Sequence, residues 1–330
     1  MTHPLLRSTF ILTLGILALP SPVFAAQHCT SIEFDAERLA CYDAFFRTDV
    51  GSPSLSVLDD SASGEEYAVI PLEERVPAEF DDIGDLFAIR PHHPNYVLPF
   101  THNFDADFED YGPLGRTFVE NEIKMQISLK TPLARDLWLG SSVWFAYTQQ
   151  SYWQLYAEDI ASAPFRETNY QPEVFWRIPL DRDFLGWRAK EINLGINHQS
   201  NGQTQRLSRS WNRFIAEAVF ERGGFEASVR AWHRFEEDAE DDDNPDIEDF
   251  MGRAQFGLSY ERGLHTYSVN VINNLRSNRN RSGVELNWMF PLVEHVKGYV
   301  QYYSGYGENL FDADNYVNRI GIGFALNNGR

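Results

Sequence analysis

The chain has 330 residues, with 28 Lys and Arg against 48 Asp and Glu, a formal net charge of -20. So acidic a chain makes a poor nucleic-acid partner, because phosphate contacts need clustered basic side chains. Beyond the first 25 residues no apolar run approaches the roughly 20 residues of a membrane-spanning helix, which excludes a helical membrane protein.

Residues 1–25 predict a secretory signal peptide. Arg7 supplies positive charge, residues 10–19 form an apolar core too short to span a bilayer, and Pro20 and Pro22 break it. Val23 and Ala25 then sit at the -3 and -1 positions of a cleavage after Ala25. Residues 26–85 read as a short N-terminal periplasmic segment and linker. Its Cys29 and Cys41 are expected to form one disulfide in an oxidising compartment, stapling a short helical stretch. Two cysteines are too few for a zinc site. The rest of the segment is acidic, with Ser, Gly and Pro and no periodicity, which predicts a flexible arm.

From residue 86 to 330 the pattern changes to strand-length segments of alternating polarity. In "VENEIKMQISLKTPL", Met125, Ile127 and Leu129 share one face while Lys124, Gln126, Ser128 and Lys130 share the other. Similar segments recur to "NRIGIGFAL" and predict about 12 strands. Links such as "FERGGF" and "SYERGLHTY" are short, whereas "AEDIASAPFRETNY", "SNGQTQRLSRS" and "EEDAEDDDNPDIED" are long and polar. Alternating short and long links, together with a signal peptide, predict an all-β, antiparallel transmembrane barrel. Aromatic content of 14 % suits the girdles of such a barrel, but also an aromatic-rich soluble sandwich.

The stretch "INLGINHQSNGQTQRLSRSWNR" carries the candidate chemistry. On a strand, His198 and Ser200 point the same way, about 7 Å apart along the chain, and share their face with Ile192, Leu194 and Ile196. On the following segment Asn212 shares a face with Phe214, Ala216, Ala218 and Phe220. A hairpin centred at Gln205 sets His198 opposite Asn212. Three polar groups on a lipid-facing side cost several kcal/mol each unless paired. A Ser-His-Asn arrangement gives them a use, with His198 as base, Ser200 as nucleophile and Asn212 as the group that orients the ring. By spacing alone, "HQSNG" also reads as a strand end running into a turn. In "PHHP", His92 and His93 are adjacent and so predicted to face opposite sides, which favours a loop or rim role over a metal site.

"NHQSNGQTQRLSRSWNR", with "YTQQSYWQ", "SAPFRETNYQP", "DDDNPDIEDFMG" and "YYSGYGENLFD", resembles the outer-membrane phospholipase A family of Gram-negative bacteria. The resemblance runs from about residue 87 to the C-terminus. It implies a twelve-stranded barrel that hydrolyses acyl esters of phospholipids and lysophospholipids, requires Ca2+ and is active as a homodimer. Residue by residue, it implies Ser200 as nucleophile, His198 as base, Asn212 as orienter and the Gly202 N–H as oxyanion donor. It further implies calcium held by the Gln203 carbonyl, the Ser208 hydroxyl and the hydroxyl of Ser162 of the partner subunit. Asp243 is implied as ligand of a second, monomer-state site, and Gln149 as a buried polar group at the dimer face. Gln203 stands where the family has Arg, but only its carbonyl is used. Gln205 stands where the family has Asp, which weakens the monomer-state site. The ending "GFALNNGR" lacks the family's terminal Phe, which leaves Phe324 or the rest of the last strand to carry the assembly signal. A non-catalytic barrel and a soluble periplasmic esterase remain as rival readings.

Overall fold

The computed structural model describes residues 86–326, apart from 159–161, 239, 241 and 294. The expectations for residues 1–85, namely the signal peptide, the Cys29 and Cys41 pair and the linker, lie outside the described residues.

After a two-residue strand β1 (Arg90–Pro91), twelve strands follow in order: β2 (Tyr96–Asn103), β3 (Asn121–Ala134), β4 (Ser142–Trp153), β5 (Phe165–Phe184), β6 (Trp187–Ser200), β7 (Ser210–Arg222), β8 (Phe225–Arg234), β9 (Ala254–Arg262), β10 (His265–Asn273), β11 (Ser282–Val293), β12 (Val296–Gly305) and β13 (Val317–Ala325). Each pairs antiparallel with the next, and β13 pairs back onto β2, so the sheet closes and leaves no free edge. β1 extends the β2 side of the β3 ladder, with Arg90 opposite Lys130. Among the described residues no helix is long and apolar enough to cross a membrane.

The period-2 alternation sorts side chains onto two faces, as expected. Ile127, Leu129, Phe145, Val174, Ile196, Phe214, Val229, Phe256, Leu286 and Ile322 are exposed on the outside. An apolar surface running right round a closed barrel exceeds any patch a soluble monomer tolerates. The inside is polar. Lys124 donates to Gln301 at 2.7 Å and to Glu308 at 2.9 Å. Arg319 bridges Glu308 at 3.0 Å and Glu122 at 2.8 Å, and Arg166 pairs with Glu122 and Asp312. These groups tie β3, β5, β13 and the 306–316 loop together across the lumen. Breaking such a buried pair strands a charge at a cost of about 3–5 kcal/mol.

The links alternate in length. The β5–β6, β7–β8 and β9–β10 turns have two residues each. In the first, Leu185 and Gly186 both have positive φ (52° and 79°), the backbone of a hairpin turn that matches strand twist. At the other end the links are long and fold over the barrel mouth. The 235–253 link holds a single helical turn, α1 (Ile247–Phe250). Ile247, Met251, Leu310 and Ala313 from two of these links pack on Trp211 of β7.

Two expectations change. "FRETNY" is not loop but the start of β5. Its polar side chains mimic a loop in sequence because they face a polar lumen. A bulge at Arg166, between the Tyr152–Glu167 and Trp153–Phe165 pairs, turns both Arg166 and Glu167 inward. His92 and His93 do not face opposite sides. They lie in a four-residue interruption between β1 and β2 that suspends strand alternation, with ring centroids 4.0 Å apart. Both line the cavity of about 430 Å³ inside the barrel, where His92 Nε2 meets Glu173 Oε1 at 3.0 Å.

Candidate active site

β6 and β7 form the hairpin that the parity of their side chains predicts. Their register pairs His198 with Asn212 and Ser200 with Ser210. The inward residues between them hold this register. Arg213 donates to Asn197 at 2.5 Å and Trp211 Nε1 to Gln199 at 3.1 Å, and the Arg213 guanidinium stacks 4.0 Å over the Trp211 ring. Trp211 is fully buried. A slip of one residue would expose this whole set, so it fixes which side chains face outward.

The outward set is His198, Ser200 and Asn212, flanked by exposed Ile196 and Phe214. His198 Nδ1 lies 2.9 Å from Asn212 Oδ1. Asn212 Nδ2 in turn donates to Glu237 Oε1 at 3.1 Å. With Nδ1 hydrogen-bonded to a carbonyl oxygen, Nδ1 carries the proton and Nε2 has a free lone pair, the form a general base requires. Ser200 stands on the same face, two residues on, without a hydrogen bond to the ring. Catalytic hydrogen bonds are often long before substrate binds.

The loop after Ser200 is organised by Asn201, which is buried. Its Oδ1 accepts from the N–H groups of Gln203 (3.2 Å) and Arg209 (3.0 Å), and its Nδ2 donates to the Leu207 carbonyl at 2.8 Å. Gly202 has φ +65°, and a Cβ built there would lie 3.0 Å from the Tyr170 ring. Only glycine meets both conditions without strain. Ser208 Oγ donates to Asp243 Oδ2 at 2.6 Å, and Asp243 Oδ1 accepts from the Ser210 N–H at 3.0 Å. Ser208 and Asp243 are therefore together. Gln203 is exposed in the same loop, and Ser162 is exposed in the link before β5. No group of three or more His, Cys, Asp or Glu side chains able to hold a metal is present among the described residues. A cation here would rest on hydroxyl and carbonyl oxygens plus one carboxylate, a donor set that suits a hard ion.

Gln149 of β4 faces outward, between Tyr147 (3.0 Å) and Ser151 (3.3 Å). The ladders place it opposite Tyr170, and Tyr170 opposite Ser200. The three form one row across β4, β5 and β6. At about 4.8 Å per strand, Gln149 lies about 10 Å from the serine position.

The phospholipase A1 family model matches residues 72–326. The chain belongs to the phospholipase A1 family. It is 33% identical to the putative phospholipase A1 of Neisseria meningitidis serogroup B over 96% of this chain and 95% of that one. It is 37% identical to phospholipase A1 of Escherichia coli strain K12, over 73% of this chain and 82% of that one. Its barrel is similar to the E. coli outer membrane phospholipase A structure, with a TM-score of 0.68, 36% identity, and coverage of 73% of this chain and 99% of that one. The Salmonella typhi outer membrane phospholipase, a dimer with bound calcium, matches with a TM-score of 0.69 at 35% identity over 74% and 94% of the two chains. The protein is thus a phospholipase-type ester hydrolase on an outer-membrane β-barrel. The exposed apolar faces of its strands are the surface that meets lipid.

Sequence reasoning missed Asn201, Tyr170 and Glu237. Asn201 carried a signal, since Asn-Gly with a positive-φ glycine is turn chemistry in which the Asn side chain caps nearby N–H groups. Tyr170 and Glu237 carried none, because Tyr170 meets the Gly202 loop through pairing of β5 with β6 and Glu237 reaches Asn212 from the β8–β9 link.

Proposed function

We propose that the protein hydrolyses acyl esters of phospholipids and lysophospholipids with Ser200, His198 and Asn212, at the outward face of β6 and β7. The carrying observation is the His198–Asn212 hydrogen bond, made on the side of the barrel that faces lipid. An oriented imidazole among exposed apolar side chains fits a substrate that arrives from the bilayer.

In this reading Ser200 Oγ attacks the ester carbonyl while His198 Nε2 takes its proton. Asn212 Oδ1 accepts the Nδ1–H throughout, which keeps the imidazolium in place without a second charge beside lipid. The carbonyl carbon becomes tetrahedral, and the oxyanion formed on the carbonyl oxygen meets the Gly202 N–H. His198 then returns the proton to the leaving alkoxide oxygen, freeing lysolipid. Water, deprotonated by the same nitrogen, attacks the acyl-serine carbonyl, and His198 returns that proton to Ser200 Oγ as the fatty acid leaves.

For calcium, we propose the Gln203 carbonyl, the Ser208 hydroxyl and the hydroxyl of Ser162 of the partner subunit, with Asp243 serving a site in the monomer. The Ser208–Asp243 contact at 2.6 Å supports an oxygen cradle beside the loop that carries Gly202. A bound calcium ion would add positive charge near the developing oxyanion. A site split between two chains ties activity to dimerisation, and Gln149, in lateral register with Ser200, is the proposed polar contact at the dimer face. For residues 1–85 we propose signal cleavage after Ala25 and a periplasmic segment to residue 85.

The test is hydrolysis of a phospholipid in detergent micelles, with calcium and then with chelator, followed beside chemical cross-linking. Activity and cross-linked dimer should fall together on chelation. Full activity in chelator, or from a species that stays monomeric, would remove the calcium and dimer parts of the proposal.

A further inference from the structure

The Asn212 amide has an oxygen on one side and an NH2 on the other, and only one orientation allows the proposed chemistry. With Oδ1 toward His198, Nδ1 carries the proton and Nε2 can accept one. With the amide reversed, Nδ1 must accept from the NH2, the ring proton moves to Nε2, and Ser200 loses its base. His198 cannot settle the matter, because an imidazole pairs with either end by changing tautomer. Something on the far side of the amide has to choose.

Glu237 stands there. Its Oε1 accepts from Asn212 Nδ2 at 3.1 Å. A carboxylate has acceptors only, so it takes the NH2 end and rejects the oxygen. Its segment is docked on β7 by the backbone bond from Phe235 N–H to the Asn212 carbonyl at 2.8 Å. Arg234 lies 3.9 Å from the other carboxylate oxygen, and the Glu237 side chain is 20% exposed, at the water edge of the site. A charged acceptor also polarises the amide, which makes Oδ1 a stronger acceptor for the imidazolium proton.

We propose that Glu237 is a positioning residue that fixes the Asn212 amide, so that Glu237, Asn212, His198 and Ser200 act as one oriented chain. This rests on the reading of Ser200, His198 and Asn212 as the hydrolytic site. It gives a task to one carboxylate of the acidic 236–249 run, in which Asp242 pairs with Arg234 and Asp243 holds Ser208 and Ser210.

The test uses the full-length protein in detergent micelles with calcium, with kcat and KM measured on one phospholipid. Unheated gel migration checks that each variant is a folded barrel. In Glu237→Gln the new side chain pairs with either end of the amide, so kcat should fall roughly ten-fold with KM unchanged. In an Asn212→Ala background the same change should alter kcat by less than about two-fold, because there is no amide left to orient. Asn212→Asp alone sets two carboxylates face to face and should be strongly impaired. Adding Glu237→Gln should restore at least roughly ten-fold, since the glutamine donates to the new carboxylate. Wild-type kcat in Glu237→Gln, a full effect in the Asn212→Ala background, or no gain in the Asn212→Asp double variant would each overturn the proposal. Ser200→Ala separates the two levels. If it is inactive while the Glu237 variants are silent, the positioning role fails and the site stands. If it keeps wild-type activity, the site reading fails and the positioning role with it.

Discussion

His198 on β6 and Asn212 on β7 are direct cross-strand partners, with Nδ1 and Oδ1 2.9 Å apart on the outer face of the barrel. Their meeting is a consequence of register, and the register is held from the other side of the sheet by Arg213, Trp211, Asn197 and Gln199. Asn212→Ala should therefore leave the barrel intact and lower kcat by roughly 10²-fold, the low end of what a positioned base contributes. Steady-state kinetics on the folded variant checks this. An unchanged kcat would mean that the ring does not need its partner.

The same logic reaches the lumen side. Trp211→Ala removes the ring that Arg213 stacks on and that Ile247, Met251, Leu310 and Ala313 cover. Loss of a fully buried aromatic costs about 3–5 kcal/mol. The melting temperature should drop, and kcat should drop with it although Trp211 never faces substrate. Full activity at temperatures where the variant stays folded would show that the outer face keeps its geometry without this support.

Gly202→Ala probes the loop that carries the proposed oxyanion donor. Alanine at φ +65°, with its Cβ 3.0 Å from Tyr170, meets a backbone penalty of about 1–2 kcal/mol and a crowded ring. The expected outcome is a small loss of thermal stability and a larger loss of kcat as the N–H turns away. Thermal unfolding and kinetics measured on the same preparation separate the two.

Glu308 lies in the β12–β13 link, outside the strands. Burial pushes its carboxyl up, but Arg319 and Lys124 outweigh burial and hold it below the usual range. A group whose folded pKa is depressed stabilises the protein above its unfolded value, and that stabilisation is lost as pH falls through the folded value. Wild type should therefore be more stable than Glu308→Gln by about 3 kcal/mol at neutral pH, and the gap should narrow on acidification below about 4. Thermal unfolding at several pH values reads this directly. A gap that does not change with pH would assign the effect to shape rather than charge.

Gln149→Ala tests the proposed dimer face. Hydrogen bonds between membrane-embedded segments average only about 0.6 kcal/mol, so self-association should weaken a few-fold rather than vanish. Analytical ultracentrifugation in calcium-containing detergent should show this shift with the monomer fold unaltered. An unchanged dimer constant would remove Gln149 from the interface.

The barrel was legible because alternation in segments such as residues 121–134 separates the two faces residue by residue. The His198–Asn212 pair was legible for the same reason, since parity plus a hairpin centre at Gln205 gives the observed register. Parity could not find the start of β5. Arg166, Glu167 and Asn169 look like loop residues because the lumen they enter is lined with polar and charged partners. Nor could it place His92 and His93, because an interruption in a ladder has no period. Glu237 and Tyr170 were invisible in sequence. The first acts from a link 25 residues beyond Asn212, and the second meets Gly202 only through pairing of β5 with β6.

The most direct test of the central claim is hydrolysis of a phospholipid acyl ester by purified wild type and Ser200→Ala, both folded, in calcium-containing micelles. Wild type should release fatty acid, and Ser200→Ala should fall by several orders of magnitude. Equal rates for the two proteins would contradict the assignment of Ser200, and with it the site on the outer face of β6 and β7.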